Sequence, residues 1–308
     1  KRTGRDRLVE GGLNLEGVPG FHHMASAKPG LRNTYEVGFL GEALTGSGML
    51  RANDEQSFLA GNLLLQATFL KYFSANVGVG ASSNVNTFGR PQSMLAQGDL
   101  HFGLRGHYSP KQGYHLALDV TTYFPSSFES SGFGFAGTSV RPRMLFTADF
   151  AEILGPVFGE NPLDLLTHFN FGYRFDNTQN LVPDNINPTR IERFAYGLSD
   201  YDYMQFGLGA EYRFPYVSPF VAWNLDIPMN GDTGACSETV TLECASDAGF
   251  AGFPSVISFG VKGEPVENFA LTAGMDWRLT GTDVAGVPIT PLYKIIFGAS
   301  WHIDPRPQ

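Results

Sequence analysis

Residues 96–108, AQGDLHFGLRGHY, divide cleanly by parity. Gln97, Asp99, His101, Gly103, Arg105 and His107 form one set; Gly98, Leu100, Phe102, Leu104, Gly106 and Tyr108 form the other. The first is polar or small, the second apolar or small. Successive side chains of a β-strand point to opposite faces, whereas a helix of period 3.6 would mix the two sets. The segment therefore reads as a strand with one wet and one apolar face.

The same division recurs along the chain. In 114–124, Leu116, Leu118 and Val120 oppose His115, Asp119 and Thr121; in 165–175, Phe169, Phe171 and Tyr173 oppose His168, Asn170 and Arg174. In 204–214, Phe206, Leu208 and Tyr212 oppose Gln205, Glu211 and Arg213. In 269–279, Leu271, Ala273 and Trp277 oppose Thr272, Asp276 and Arg278; in 293–303, Ile295, Phe297 and Trp301 oppose Lys294, Ser300 and His302. Weaker alternation marks 34–43, 58–70, 73–84, 140–150, 217–227 and 256–263. Twelve strands result. Their lengths bracket what a tilted membrane-spanning strand needs, and bacterial outer-membrane barrels have even strand numbers.

Composition agrees. The 308 residues include 37 Gly and 26 Phe, only 17% are charged, and the net charge is −9. A disordered chain would be poorer in aromatics and richer in charge. A nucleic-acid binder would be basic. No apolar run reaches the length of a membrane helix; the richest, 58–70, is interrupted by Gly61, Asn62, Gln66 and Thr68. A soluble sandwich or lipocalin would bury one face of each strand in a core. Here the polar face is too ionisable for a dry core, so the apolar face must be the outer one, against lipid. The expected fold is an all-β transmembrane antiparallel barrel of about twelve strands in the bacterial outer membrane, with both termini periplasmic.

Connection lengths point the same way. With the first strand running outward, the outside loops are 44–57, 85–94, 125–139, 176–203, 228–255 and 280–291. The inside turns are 71–72, 109–113, 151–163, 215–216 and 264–268. Short periplasmic turns alternating with long outside loops are the barrel pattern. The one long inside connection, 151–163, is expected to hold a short interfacial helix. Phe69, Phe73, Tyr108, Tyr114, Phe214, Phe269 and Trp301 form an inner aromatic girdle, and Phe124, Phe175, Trp277 and Tyr293 an outer one.

Parity also populates the lumen. Glu36, Glu42, Asp99, Asp119, Asp149, Glu211, Asp226 and Asp276 point inward, as do Arg105, Arg141, Arg143, Arg174, Arg213, Lys262, Arg278 and Lys294. His101, His107, His115, His168 and His302 join them. The two signs balance. A selective pore would show an excess of one sign, so a network of paired charges bridging the lumen is expected. The net −9 then belongs to loops and tails. Asp232, Glu238, Glu243 and Asp247, in 228–255, are candidate contacts for a partner protein at the cell surface. Cys236 and Cys244 in the same loop point to one disulfide and an oxidising compartment; two free thiols are the alternative reading.

No cofactor, metal or catalytic site is expected. Two Cys are too few ligands for a metal, and no DxDxDG spacing suggests calcium. No GxSxG, HExxH or phosphate loop appears. Ser300 and His302 share a lumen face within hydrogen-bonding reach, but the inward histidines lie away from the lipid face where a barrel lipase would act. His22–His23 reads as a polar segment near the inner rim. Residues 1–30 are a periplasmic linker or a plug entering the lumen, 31–304 the barrel, and 305–308 the start of a linker.

Six segments carry a family resemblance: VEGGLNLEGVPGF (9–21), QGDLHFGLRGHYSP (97–110), FNFGYRFDNTQN (169–180), YRFPYVSPFVAWNLDIP (212–228), ENFALTAGMDWRLTGT (267–282) and PLYKIIFGASWHIDP (291–305). In this order they resemble the barrel regions of myxobacterial (deltaproteobacterial) OmpA-type outer-membrane proteins. The resemblance implies a periplasmic, peptidoglycan-binding domain after Gln308 and, in the outer-membrane exchange branch, a surface receptor as partner. The expected function is an envelope anchor and cell-surface interaction module contacting outer-membrane lipid and a surface protein, with no nucleic acid and no enzyme activity. The alternative is a passive porin-like channel for ions or small solutes.

Overall fold

The period-two segments fold as strands that pair edge to edge until the sheet meets itself. The computed structural model describes residues 12–30, 32–89, 91–125, 135–158, 163–183, 186, 188–230, 249–250, 252–280 and 284–305. A two-residue hairpin comes first, β1 (Gly20–Phe21) and β2 (Met24–Ala25). The barrel strands are β3 (Thr34–Ser47), β4 (Glu55–Leu70), β5 (Phe73–Asn86), β6 (Ser93–Lys111), β7 (Tyr114–Phe124) and β8 (Ser139–Asp149), then β9 (Leu165–Arg174), β10 (Asp202–Tyr212), β11 (Val217–Met229), β12 (Ser255–Val266), β13 (Phe269–Arg278) and β14 (Tyr293–Ile303). Each pairs antiparallel with its sequence neighbours, and β14 pairs β3 to close a twelve-strand barrel. Closure matters because no edge is left with unpaired backbone groups in lipid. At the seam Phe297 lies opposite Gly41, whose missing side chain leaves room for the ring.

The outer surface is apolar on every side. Leu63 is 57% exposed, Leu104 52%, Leu118 57% and Trp301 53%, values that in water would form a very large apolar patch. The inner-girdle residues Phe69, Phe73, Tyr108, Tyr114, Phe214 and Trp301 are all exposed, and Phe269 packs against Trp301 at 5.7 Å. Of the outer girdle, Phe175 and Trp277 are exposed, while Phe124 packs on Phe135 at 5.9 Å.

Register shifts interrupt the barrel ladders after Ala67, Gly80, Tyr108 and Gly263. The pairing of β5 with β6 shifts between Gly80 and Ala81, a bulge. Past it the phase reverses: Met94 and Ala96 are buried and Leu95 is exposed. The connection expected at 109–113 shrinks to Gln112–Gly113, because Lys111 pairs with Tyr114 beyond a shift that accommodates Pro110. Gly113 makes this turn at φ 80°. The 151–163 connection holds α1 (Phe150–Phe158), where Asp149 Oδ1 accepts from the amides of Ala151 and Glu152. The 176–203 loop holds α2 (Arg190–Tyr196), started by a Thr189–Glu192 capping box and ended at Gly197, φ 62°.

Candidate functional site

The lumen is where the ionisable side chains converge, and residues 12–30 lie within it. Leu13, Val18, Phe21, Met24, Ala25 and Ala27 are buried there. The wall makes room with glycines on its polar face. A Cβ at Gly209 would meet Met24 Cγ and Phe21 Cζ at 3.1 Å, and one at Gly207 would meet Met24 Sδ at 2.8 Å. Phe21 stacks on Phe220 at 4.5 Å and meets His168 edge-on at 5.5 Å.

Wall side chains bond the segment's backbone in addition to its own hairpin, the Leu13–Pro19 bridge and its turn hydrogen bonds. Asn76 Nδ2 and His101 Nε2 reach the carbonyl of Glu16 at 2.8 and 2.9 Å. Arg105 donates to the Ser26 carbonyl at 2.9 Å, and the Ala27 amide donates to Thr147 Oγ1 at 2.8 Å. The Gly12 amide donates to Glu36 Oε1 at 2.9 Å. Buried backbone groups need such partners, so the polar wall holds the segment by main-chain bonds as well as by charge.

The segment contributes charges of its own. Glu16 pairs with Arg141 and, at 2.9 Å, with Arg143. Lys28 pairs with Asp149 at 3.0 Å. His22 and His23 both approach Asp276, at 3.4 and 2.8 Å. His22 has φ 45°, and this turn brings the two adjacent rings to one carboxylate. His22 is therefore buried against the wall and His23 is half-buried at the cavity floor, not placed at the rim as the sequence suggested. Burial alone would raise the Glu16 carboxyl, but the guanidinium groups of Arg141 and Arg143 outweigh it and hold the group well below the usual carboxylate range. Burial lowers His22. For His23 burial again disfavours the charge, and the Asp276 carboxylate outweighs it, raising the ring above its ordinary value.

The remaining inward charges pair mostly along the wall. Asp119 receives Arg105 at 3.0 Å and Arg143 at 2.9 Å; Glu211 receives Lys262 at 2.8 Å; Glu42 receives Lys294 at 2.6 Å. Arg213 joins Asp149 at 3.0 Å, and Arg174 joins Asp176 at 3.0 Å. Arg278 donates instead to the carbonyl of Thr290, tying down the 284–291 segment. Ser300 donates to Glu36 at 2.7 Å, an orientation that serves Glu36 and not His302. Parity identified these residues as inward. It did not identify Glu16, Lys28, His22 and His23 as their partners. The signal for that lay in the small inward residues, Gly207 and Gly209 above all.

Above the segment, on the side of the long loops, a cavity of about 580 Å³ opens. Its floor includes Leu15, Glu16 and His23; its wall includes Asp99, Arg141, Arg143, Arg174, Asp226 and Asp276. Phe194 and Tyr196 of α2 and Val287–Pro291 line the loop end. Ile289 packs with Leu50, Met94, Ile191 and Ala195, which fixes this roof to α2. Cys236, Cys244, Asp232, Glu238, Glu243 and Asp247 lie outside the described residues, as do 306–308.

The COG4313 outer membrane channel from Pseudomonas putida F1 superposes with a TM-score of 0.58 at 10% identity, over 90% of this chain and 97% of that one. This chain is an outer-membrane-type β-barrel. The KdgM porin and the NanC porin align at a TM-score of 0.48, with 8% and 10% identity, each over 87% of this chain and 99% and 98% of theirs. No protein-family model matches the sequence, and no curated protein matches it. At such identities the likeness is one of fold.

Proposed function

We propose that this barrel is an outer-membrane channel for small solutes, held closed by residues 12–30. The observation that carries the reading is the contrast within one lumen. The lower part is filled by the chain's own segment, bonded to wall side chains on many strands. The upper part keeps a solute-sized chamber. An anchor has no need of a chamber, and twelve strands enclose a lumen wider than side chains alone fill. Passage requires the segment to shift, so the channel is gated.

Liposome swelling tests this. Vesicles carrying the full-length chain should admit small sugars slowly, and Gly209→Leu, which fills the seat of Phe21 and Met24, should admit them several-fold faster. Equal, negligible swelling for both, with the barrel folded, would favour the anchor.

The second reading, an envelope anchor meeting a cell-surface protein, rests on the acidic outside loops and on the OmpA-type resemblance. In the 176–203 loop three acids serve the protein itself: Asp176 holds Arg174, Asp200 holds Arg193 at 2.9 Å, and Asp202 accepts from Tyr173 at 2.9 Å. Partner binding, on this reading, falls to Asp232, Glu238, Glu243 and Asp247. Replacing those four by Asn or Gln should abolish capture of a surface receptor while leaving the barrel folded.

A further inference from the structure

The chamber above the segment has two poles of opposite charge. On one side Arg141 and Arg174 lie over the Tyr123 ring, at 5.4 and 5.3 Å. Arg141 is 6% exposed; one of its terminal nitrogens meets Glu16, while Nε and Nη2 have no hydrogen-bond partner among the described residues. A buried donor left without a partner is costly, and an acceptor brought in by a ligand relieves that cost. Around this pole four guanidinium groups, of Arg105, Arg141, Arg143 and Arg174, face three paired carboxylates, of Glu16, Asp119 and Asp176. Asp99 lines the same cavity, so this pole rests on the open donors of Arg141 and not on a net charge.

The other pole is Asp226 on β11. Its carboxylate accepts from the neutral amide of Gln205 at 3.0 Å, and no cation forms an ion pair with it among the described residues. Both poles line the same cavity, whose loop end is closed by the apolar side chains of Phe194, Val287 and Ile289. A plain anion would face Asp226 uncompensated, and a plain cation would face the arginines. A molecule carrying both charges meets each pole with its opposite.

Resting on the channel reading, we propose that the chamber is a binding site for a small zwitterion with an apolar body, of the aromatic amino-acid type. Its carboxylate would lie toward Arg141 and Arg174, its ammonium toward Asp226, and its ring under the α2 roof. The volume is in the range of ordinary small-molecule sites.

Equilibrium dialysis of the full-length protein in detergent against three probes tests this: L-phenylalanine, phenylacetate, which lacks the ammonium, and phenethylamine, which lacks the carboxylate. Phenylalanine should bind more tightly than either relative by roughly ten- to hundredfold, the worth of one charge-assisted contact. Arg174→Gln should weaken phenylalanine and phenylacetate and leave phenethylamine unchanged. Asp226→Asn should weaken phenylalanine and phenethylamine and spare phenylacetate. This second variant keeps the shape and the Gln205 contact, so it reports even where the arginine variant folds poorly. Equal binding of the three probes, no binding of phenylalanine, or variants without this crossed pattern would overturn the site. Dialysis reads occupancy and not passage. Phenylalanine bound to a barrel that never conducts keeps the site and removes the channel, whereas conduction without binding does the reverse.

Discussion

The lower lumen and the chamber are built on the same strands, yet they use side chains in opposite ways. Around residues 12–30 the wall offers glycine, histidine, asparagine and threonine. Gly207 and Gly209 admit Met24 and Phe21, and Asn76, His101 and Thr147 take up backbone groups. Around the chamber it offers Arg141, Arg174, Asp226 and Asp276, with roof residues from α2 and 284–291. Small and neutral-polar residues seat the apolar side chains and main chain of the peptide, with Arg105, Glu36 and Asp149 adding charged contacts. Long charged residues with incompletely satisfied groups face a space that a solute can fill. What an inward residue is for therefore depends on its size as much as on its polarity.

The largest expected effect breaks the seat itself. Gly209→Leu places a side chain against Met24 and Phe21, whose atoms are the three nearest to a Cβ there, at 3.1–3.3 Å. The hairpin should be expelled while the barrel stays folded, seen as loss of amide-exchange protection across 12–30 with unchanged protection in β9–β11. Retained protection in 12–30 would mean that the seat is not a tight one. Phe21→Ala removes the stack on Phe220 from the other side, and should loosen the segment by about 3–5 kcal/mol, as for other buried aromatic truncations, measured by the same exchange.

Glu16→Gln comes next. It leaves Arg141 without its carboxylate while Arg143 keeps Asp119. A loss of about 2–3 kcal/mol of docking is expected, between a neutral hydrogen bond and a fully broken buried pair. The cost should fall mainly on the junction between the two regions, so protection at 12–20 should drop more than at 24–27. A uniform loss would show that the segment docks as one rigid piece.

The smallest effect is the response to pH. His23, raised by Asp276, stabilises the docked segment below the ordinary imidazole value of about 6.5, and that contribution is lost as pH rises through its raised value. His22, lowered by burial, works the other way: its contribution is present above about 6.5 and is lost as pH falls through its lowered value. The two act in adjacent windows, so docking should be strongest near pH 6.5 and weaken on either side of it. His23→Asn leaves His22 alone, and docking should then weaken as pH falls. A variant that weakens as pH rises would contradict the assignment of the two rings.

The barrel was legible because its physics is repetitive. Leu104, Leu118 and Trp301 had to face lipid once Arg105, Asp119 and Ser300 faced the lumen, and period two carries that from one strand to the next. The helix at 150–158 followed from an overlong inside turn. The phase reversal before Asp99 was not legible, since a bulge inserts a residue without altering composition. The sequence left open whether residues 1–30 formed a linker or a plug, and the contacts that seat 12–30 were not legible. Glu16, His22 and His23 are ordinary polar residues in a Gly/Pro-rich stretch, and their partners Arg141 and Asp276 are far away in sequence. Only folding the wall brings donor and acceptor together. The inward glycines of β10 were the available sign, and in a strand glycine also means weak pairing.

Single-channel recording in planar bilayers tests the central claim that residues 12–30 close this barrel. The full-length chain should remain closed for most of the record with brief openings, and Gly209→Leu should give long, steady openings of uniform size. Steady, full openings from the unaltered chain, or a folded Gly209→Leu barrel that never opens, would contradict it.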